Sequence, residues 1–538
     1  MPENQPVSGV SYSMTPYTGP WTKAEAGHLL RRTTFGPQNQ EIVDAVASGM
    51  AATVTSLLQI PALGPPLTFH PDESIVPQGN TWVTALYPSN PIDAQTVENA
   101  RLLSIAAWSM ERLNKEQVTI AEKICLFWHN HFSATFSLDS RATYDYHMLL
   151  RSHALGDFKQ MVKDVTINPA MLLFLNGATN NVFDPNENFA RELLELFTIG
   201  KGPQIGPGDY TNYTEQDVAE GAKILTGYYV DGLRSDTLTG VIPVYNTILH
   251  DQTTKTLSSA FGSATIVNNG ANEYADYIDV IFQQDEVANY ICRKLYRYFV
   301  NYDLTATVET TVIAEMAATL IANSYNILPV LTELFSSEHF YDVSVRGALI
   351  KGPLDMLYSM MNSSDSQPNF GLSTDYEMQI NMYYVAEALG QAYAAPPSVA
   401  GWPAYYQEPS YSQLWVNATH LKTRTDASAW VTIGSGIPVN GDNWKIDTLN
   451  FVDALSDPTS APAIIDDMAD IFVPKGIDAA QKLILKLMLT GGLPDFEWTV
   501  EYSDYIGNPG NTTFSDPIRI KVELVLARLF QMPEFHTM

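Results

Sequence analysis

Along most of the chain apolar residues recur every three to four positions, the period of helices with one buried face. Ala121, Ile124, Cys125, Trp128 and Phe132 follow Thr119 and Glu122, which have capping-box spacing, so this stretch predicts a helix through His131. Asp184, Pro185 and Glu187 read as N-cap, N1 and N3 of a second helix reaching about Gly200, with Phe189, Leu193, Leu196 and Phe197 as its apolar face. Thr214 and Asp217 open a third, ending near Gly227. Further helices are expected around 97–114, 142–164, 273–300, 308–323, 327–337 and 377–394, and a C-terminal pair at about 476–490 and 516–532.

Between 230 and 270 the pattern shifts to short β-rich pieces, Val241–Tyr245 and Thr247–His250, divided by Gly, Asp and Thr turns. Residues 430–475, rich in Gly, Pro, Asn and Asp, read as a long irregular surface segment. The expected fold is mainly α: a large multi-helix array with a small β-rich insertion around 230–270. Its expected parts are a polar extension at 1–20, helical halves at 21–229 and 271–429 flanking the insertion, the irregular segment, and C-terminal helices at 476–538.

Composition narrows the function classes. Asp and Glu number 59 against 30 Lys and Arg, a formal net charge of −29, which argues against a nucleic-acid or anionic-membrane partner. No apolar run has the ~18 residues that a membrane span needs. The N-terminus does not read as a secretory signal, because Met1–Pro20 is polar and no apolar stretch follows a basic start. Two cysteines, Cys125 and Cys292, exclude a disulfide framework and a Cys-rich zinc site. The 28 Tyr and 22 Phe would suit contacts with a protein partner or between copies of a homo-oligomer.

Phosphate loops, His-Glu-x-x-His and Gly-x-Ser-x-Gly motifs are absent. Weaker constellations remain. In Phe127–Phe132, His129 and His131 flank Asn130; two imidazoles could ligate a divalent transition metal if the helix ends there, whereas on a continuing helix they point about 200° apart. The alternative is a pair of histidines stopping a helix at its negative end. In Asn186–Phe197, Glu187, Arg191 and Glu195 follow at i, i+4 spacings, and Glu192 borders the apolar stripe. Glu187, Arg191 and Glu192 are thus candidates for acid, base and orienting roles, with a purely structural ion pair as the alternative. His250 and Asp251 could be further ligands or an exposed turn. His28 and Arg32, four apart on a helix, could bind an anion or cap the helix end. Pro396–Pro403 reads as a rigid loop whose Trp402 plugs the body.

His28–Gly36, Phe127–Phe132, Arg151–Gly156, Asn168–Leu172, Asn186–Gly200, Tyr213–Val218, His250–Asp251, Pro396–Pro403 and Pro533–Phe535, in this order, resemble a bacterial family known as domain of unknown function 1800. That resemblance implies an exported protein with an envelope or extracellular role, from which this chain departs by showing no export signal, so the cytoplasm stays the default expectation; the resemblance carries no established catalytic residues. Two classes of function stay open: a metal-binding or hydrolytic protein acting at the envelope, or a non-catalytic assembly or surface protein. A small-molecule or glycan binder, using Tyr and Trp platforms, lies between them.

Overall fold

Thr22 opens the first helix, Lys23–Thr33: its hydroxyl accepts from the Ala24 N–H while the Glu25 carboxylate accepts from the Thr22 N–H. The same device starts Glu215–Ile224, where Thr214 and Asp217 cap each other as their spacing predicts. Repeated along the chain, such signals give a mainly α architecture, seen in a computed structural model that describes residues 11–114, 118–135 and 138–538.

The longest helix, Pro91–Asn114, packs along Leu372–Ala388 and also touches Ser140–Ser152 and Pro353–Asn362. Ala121–His131 lies against Ser140–Ser152. A continuous apolar core runs through these elements and on to Phe530 and Phe535 in the last helices. Among the described residues no helix is long and apolar enough to cross a membrane.

The β structure consists of two-stranded antiparallel hairpins. Tyr228–Asp231 pairs with Ile242–Tyr245, and Lys255–Thr256 with Thr265–Ile266, both in the region expected to be β-rich. A third hairpin, Ile437–Val439 with Asp442–Trp444, turns at Asn440-Gly441, both at positive φ as tight hairpin turns require.

That hairpin corrects the expectation of an irregular surface segment at 430–475. The stretch also carries the helices Thr448–Asp453 and Ala461–Phe472, the latter capped by Ser460 and burying Ile464, Ile465, Met468, Ile471 and Phe472. Helical spacing of those five residues outweighs the surrounding turn formers. Two long helices expected from periodicity are each broken in two. Residues 142–164 form Ser140–Ser152 and Phe158–Thr166, restarted by the Asp157 N-cap, and 273–300 form Glu273–Ile281 and Glu286–Phe299.

Candidate functional site

Ala121–His131 carries polar side chains on its inner face at i, i+3 and i+7: Glu122, Cys125 and His129, all buried. Ser140–Ser152 answers with His147 and Arg151, four apart and buried. The two faces meet as a polar seam inside the core. At one end Arg151 donates to Glu122, and its Nη2 donates to the Pro61 carbonyl at 3.0 Å. Midway the Cys125 sulfur lies 3.9 Å from Arg151. At the other end the His129 and His147 rings stack with centroids 4.9 Å apart, and Tyr393 stacks on His129 at 6.0 Å.

Arg112, from the last turn of Pro91–Asn114, joins the seam from a third side. Its guanidinium sits 3.9 Å over the Trp108 ring, 3.5 Å from Glu122 and 3.1 Å from the Tyr393 hydroxyl. Burial, helped by the Arg112 charge, pushes the His129 imidazole down to about 3, and burial with His129 beside it holds His147 well below the ordinary histidine range. Both rings are neutral at pH 7. Among the described residues neither ring nitrogen of His129 has a hydrogen-bond partner.

The Glu122 end opens into a pocket of about 360 Å³. Charged groups come from Glu111, Arg112, Glu122 and Arg151, aromatic walls from Trp108 and Tyr376, and an apolar rim from the loop 61–67. Trp108 Nε1 donates to the Gly64 carbonyl at 2.8 Å, Ser104 Oγ donates to the Leu67 carbonyl at 2.6 Å, and Arg151 holds Pro61, so this rim is pinned along its length. The arrangement offers donors, acceptors and an aromatic wall to one small ligand. Sequence reasoning missed Arg112, Arg151 and the inward role of Glu122. Polar residues recurring at helical spacing on otherwise apolar faces are the signal that could have found them.

The residues singled out from sequence lie as follows. The Ala121–His131 helix continues through both histidines, so they point to different neighbours and do not form a chelating pair. His131 donates from Nε2 to the Phe197 carbonyl at 3.1 Å and accepts at Nδ1 from Lys294 at 3.1 Å. His250 is buried with both nitrogens facing acceptors, the Thr226 carbonyl at 2.9 Å and the Glu273 carboxylate at 3.0 Å. Lys255 completes that cluster, 2.5 Å from Glu273, while Asp251 accepts from the Thr253 N–H at 2.8 Å. His250 and Asp251 are therefore parts of a buried ionic network and not an exposed turn. No group of three or more His, Cys, Asp and Glu that could hold a metal ion occurs among the described residues.

Glu187, Arg191 and Glu192 stand on the helix Glu187–Glu192, whose N-cap is Asn186, two residues later than Asp184. Glu187 is therefore N1 and not N3. Arg191 reaches Glu187 at 3.1 Å as its i, i+4 spacing predicts, and grips Glu215 with two bonds of 2.7 and 2.8 Å. Burial and the neighbouring Glu195 raise the Glu192 carboxyl above its ordinary range. The helix then widens into a π-helical turn, Leu193–Thr198. On the Trp402 loop, the Trp402 N–H donates to Asn130 Oδ1 at 2.9 Å, and Trp402 is buried beside His129. His28 and Arg32 are buried and donate to the carbonyls of Phe340 and Val345.

The model of a family described as protein of unknown function, DUF1800, matches residues 28–537. No curated protein and no solved structure matches the chain.

Proposed function

Since this chain belongs to the DUF1800 family, whose description assigns no activity, we infer its role from its own pocket: it binds a small hydroxylated ring compound of the carbohydrate class. The observation that carries the reading is the convergence of guanidinium, carboxylate and aromatic groups on one cavity of about 360 Å³. That volume lies at the lower end of small-molecule sites. Glu122 is engaged by both Arg112 and Arg151, so the charged groups favour a neutral ligand that presents hydroxyls. Tyr376 and Trp108 give the pocket an aromatic wall against which the apolar side of a sugar can rest.

Cleavage of a glycosidic bond in the same pocket is a second reading, favoured by the two carboxyl groups, Glu111 and Glu122, that line it. Glu187, Arg191 and Glu192 would then serve as a surface ion-pair network. An envelope or extracellular setting suits either reading. His131, His250 and Asp251 are engaged by protein groups, which favours the pocket over a metal-dependent role.

Calorimetric titration with neutral mono- and oligosaccharides and their uronic acids tests the proposal. Saturable binding, lost in the pocket-filling variant Leu63→Trp while its melting temperature stays within a degree or so of the parent, is the expected result. Release of new reducing ends would select the hydrolytic reading. Heats that remain unchanged in Leu63→Trp would refute the pocket.

A further inference from the structure

Four buried cations, Arg31, Arg32, Lys351 and Arg424, gather on the far side of the first helix and make no ion pair among the described residues. Arg31 donates to the backbone carbonyls of Asp470 and Ile471 at 2.6 and 3.3 Å, and Arg32 to that of Val345 at 2.6 Å. Arg424 donates to the Lys351 carbonyl at 2.7 Å. Lys351 has one weak contact, Ser359 Oγ at 3.4 Å, and otherwise lies 4.0 Å over the Phe535 ring. Arg31 Nε, Arg32 Nε and Nη1, and Arg424 Nε are buried without hydrogen-bond partners among the described residues. A fifth cation, Lys123, takes the cluster's carboxylate, Asp355.

Taking charge out of water without compensation is costly, and this occurs inside a chain whose net charge is −29. Two of the four, Arg31 and Lys351, line a cavity whose wall also carries Gly36, Asp355, Ser359 and Ser363. Its free space of about 10 Å³ is the room that one water-sized particle occupies. Asp355 and Ser359 on Pro353–Asn362 and Ser363, its C-cap, line it at i, i+4 and i+8. Gly36, at φ +116°, closes the opposite side; a Cβ there would stand 2.6 Å from Ser359 Cα and 2.8 Å from Ser363 Oγ.

We propose that this cavity is a binding site for one small monovalent inorganic anion of chloride's size. Arg31 and Lys351 supply the compensating charge contacts, and the Ser363 hydroxyl supplies a neutral donor. Burial, with the neighbouring Arg31, holds the Lys351 ammonium well below its ordinary range, and Asp355, shared with Lys123, offsets this only in part. An anion restores that ammonium.

Thermal unfolding of the full chain, with sodium gluconate replaced stepwise by sodium chloride at constant ionic strength, tests the site. The melting temperature should rise by about 1–2 °C per tenfold increase in chloride once the site begins to fill. Lys351→Met should melt above the parent in gluconate, because an uncompensated buried cation is gone, and should lose the chloride response. Crystals grown in bromide should show anomalous density between Arg31 and Lys351. A flat titration of the parent, an empty cavity in bromide, or a Lys351→Met protein that keeps the full response would overturn the proposal. If Lys351→Met does not fold, Ser363→Val replaces it: a weakened response supports the site, and an unchanged one counts against it.

Discussion

His129 is the residue whose chemistry is most constrained by where it sits. Enclosed by His147, Tyr393 and Trp402, it is neutral in the fold with its pKa at about 3, against about 6.5 when unfolded. A depressed base binds fewer protons folded than unfolded, so its contribution to stability is complete above pH 6.5 and is lost as the pH falls toward 3. His129→Phe keeps an aromatic ring of similar size and removes the titration. The variant should match the parent within ~1.5 kcal/mol at pH 8 and melt above it at pH 5. Melting curves from pH 8 to 4 that run parallel for the two proteins would show that the ring does not titrate this way. Glu122 is the opposite case, a buried anion held by Arg151 and Arg112, and Glu122→Gln strands those charges at an expected cost of about 3–5 kcal/mol. A melting temperature within a degree of the parent would show that the arginines are satisfied without it.

Among the elements, the π-helical turn Leu193–Thr198 stands out because its carbonyls are served from outside. Lys294 donates to the Leu196 carbonyl at 3.0 Å and to His131, and the Tyr290 hydroxyl donates to the Leu196 carbonyl at 3.0 Å. Burial, then Arg297, brings the Lys294 ammonium down to about 7. The unfolded chain therefore binds the extra proton between pH 7 and about 10.4, and this group's contribution grows with pH across that window. Lys294→Met should cost about 1–3 kcal/mol by leaving buried acceptors unpaired, and should flatten that rise. Equal stability from pH 7 to 10 would show that the turn needs no such cap. Elements are also where the sequence was most readable. Thr214 and Asp217, the β-rich pieces near 242–245 and the Arg191–Glu187 pair all depend on neighbours within a few residues, and all were legible. The pocket was not. Glu111, Arg112, Glu122, Arg151 and Tyr376 come from four helices, and only tertiary packing brings them together; the capping-box spacing of Glu122 with Thr119 gave no sign of its inward turn.

At the scale of the whole molecule, chains beyond ~250–300 residues usually divide their cores, yet here a continuous apolar cluster reaches from Met14 to Phe535. Cooperative unfolding as one unit is the expected consequence. Calorimetry should show a single heat absorption peak for the full chain, and two resolved peaks would reveal a boundary that this core bridges only weakly.

The Pro91–Asn114 helix gives the pocket a further property. Arg101 and Arg112 are eleven residues apart, three turns and roughly 16 Å, on the same side of this helix. Each lies over an aromatic ring, Arg101 at 4.2 Å from Tyr87 and Arg112 at 3.9 Å from Trp108. The wall carrying Trp108, Glu111 and Arg112 is thus clamped at both ends, while the facing rim is a loop held by hydrogen bonds at Pro61, Gly64 and Leu67. The cavity works like a vice with one fixed jaw. Relatives that accept larger or smaller guests would differ in the length and side chains of 61–67, whereas the helix would set where every guest must rest.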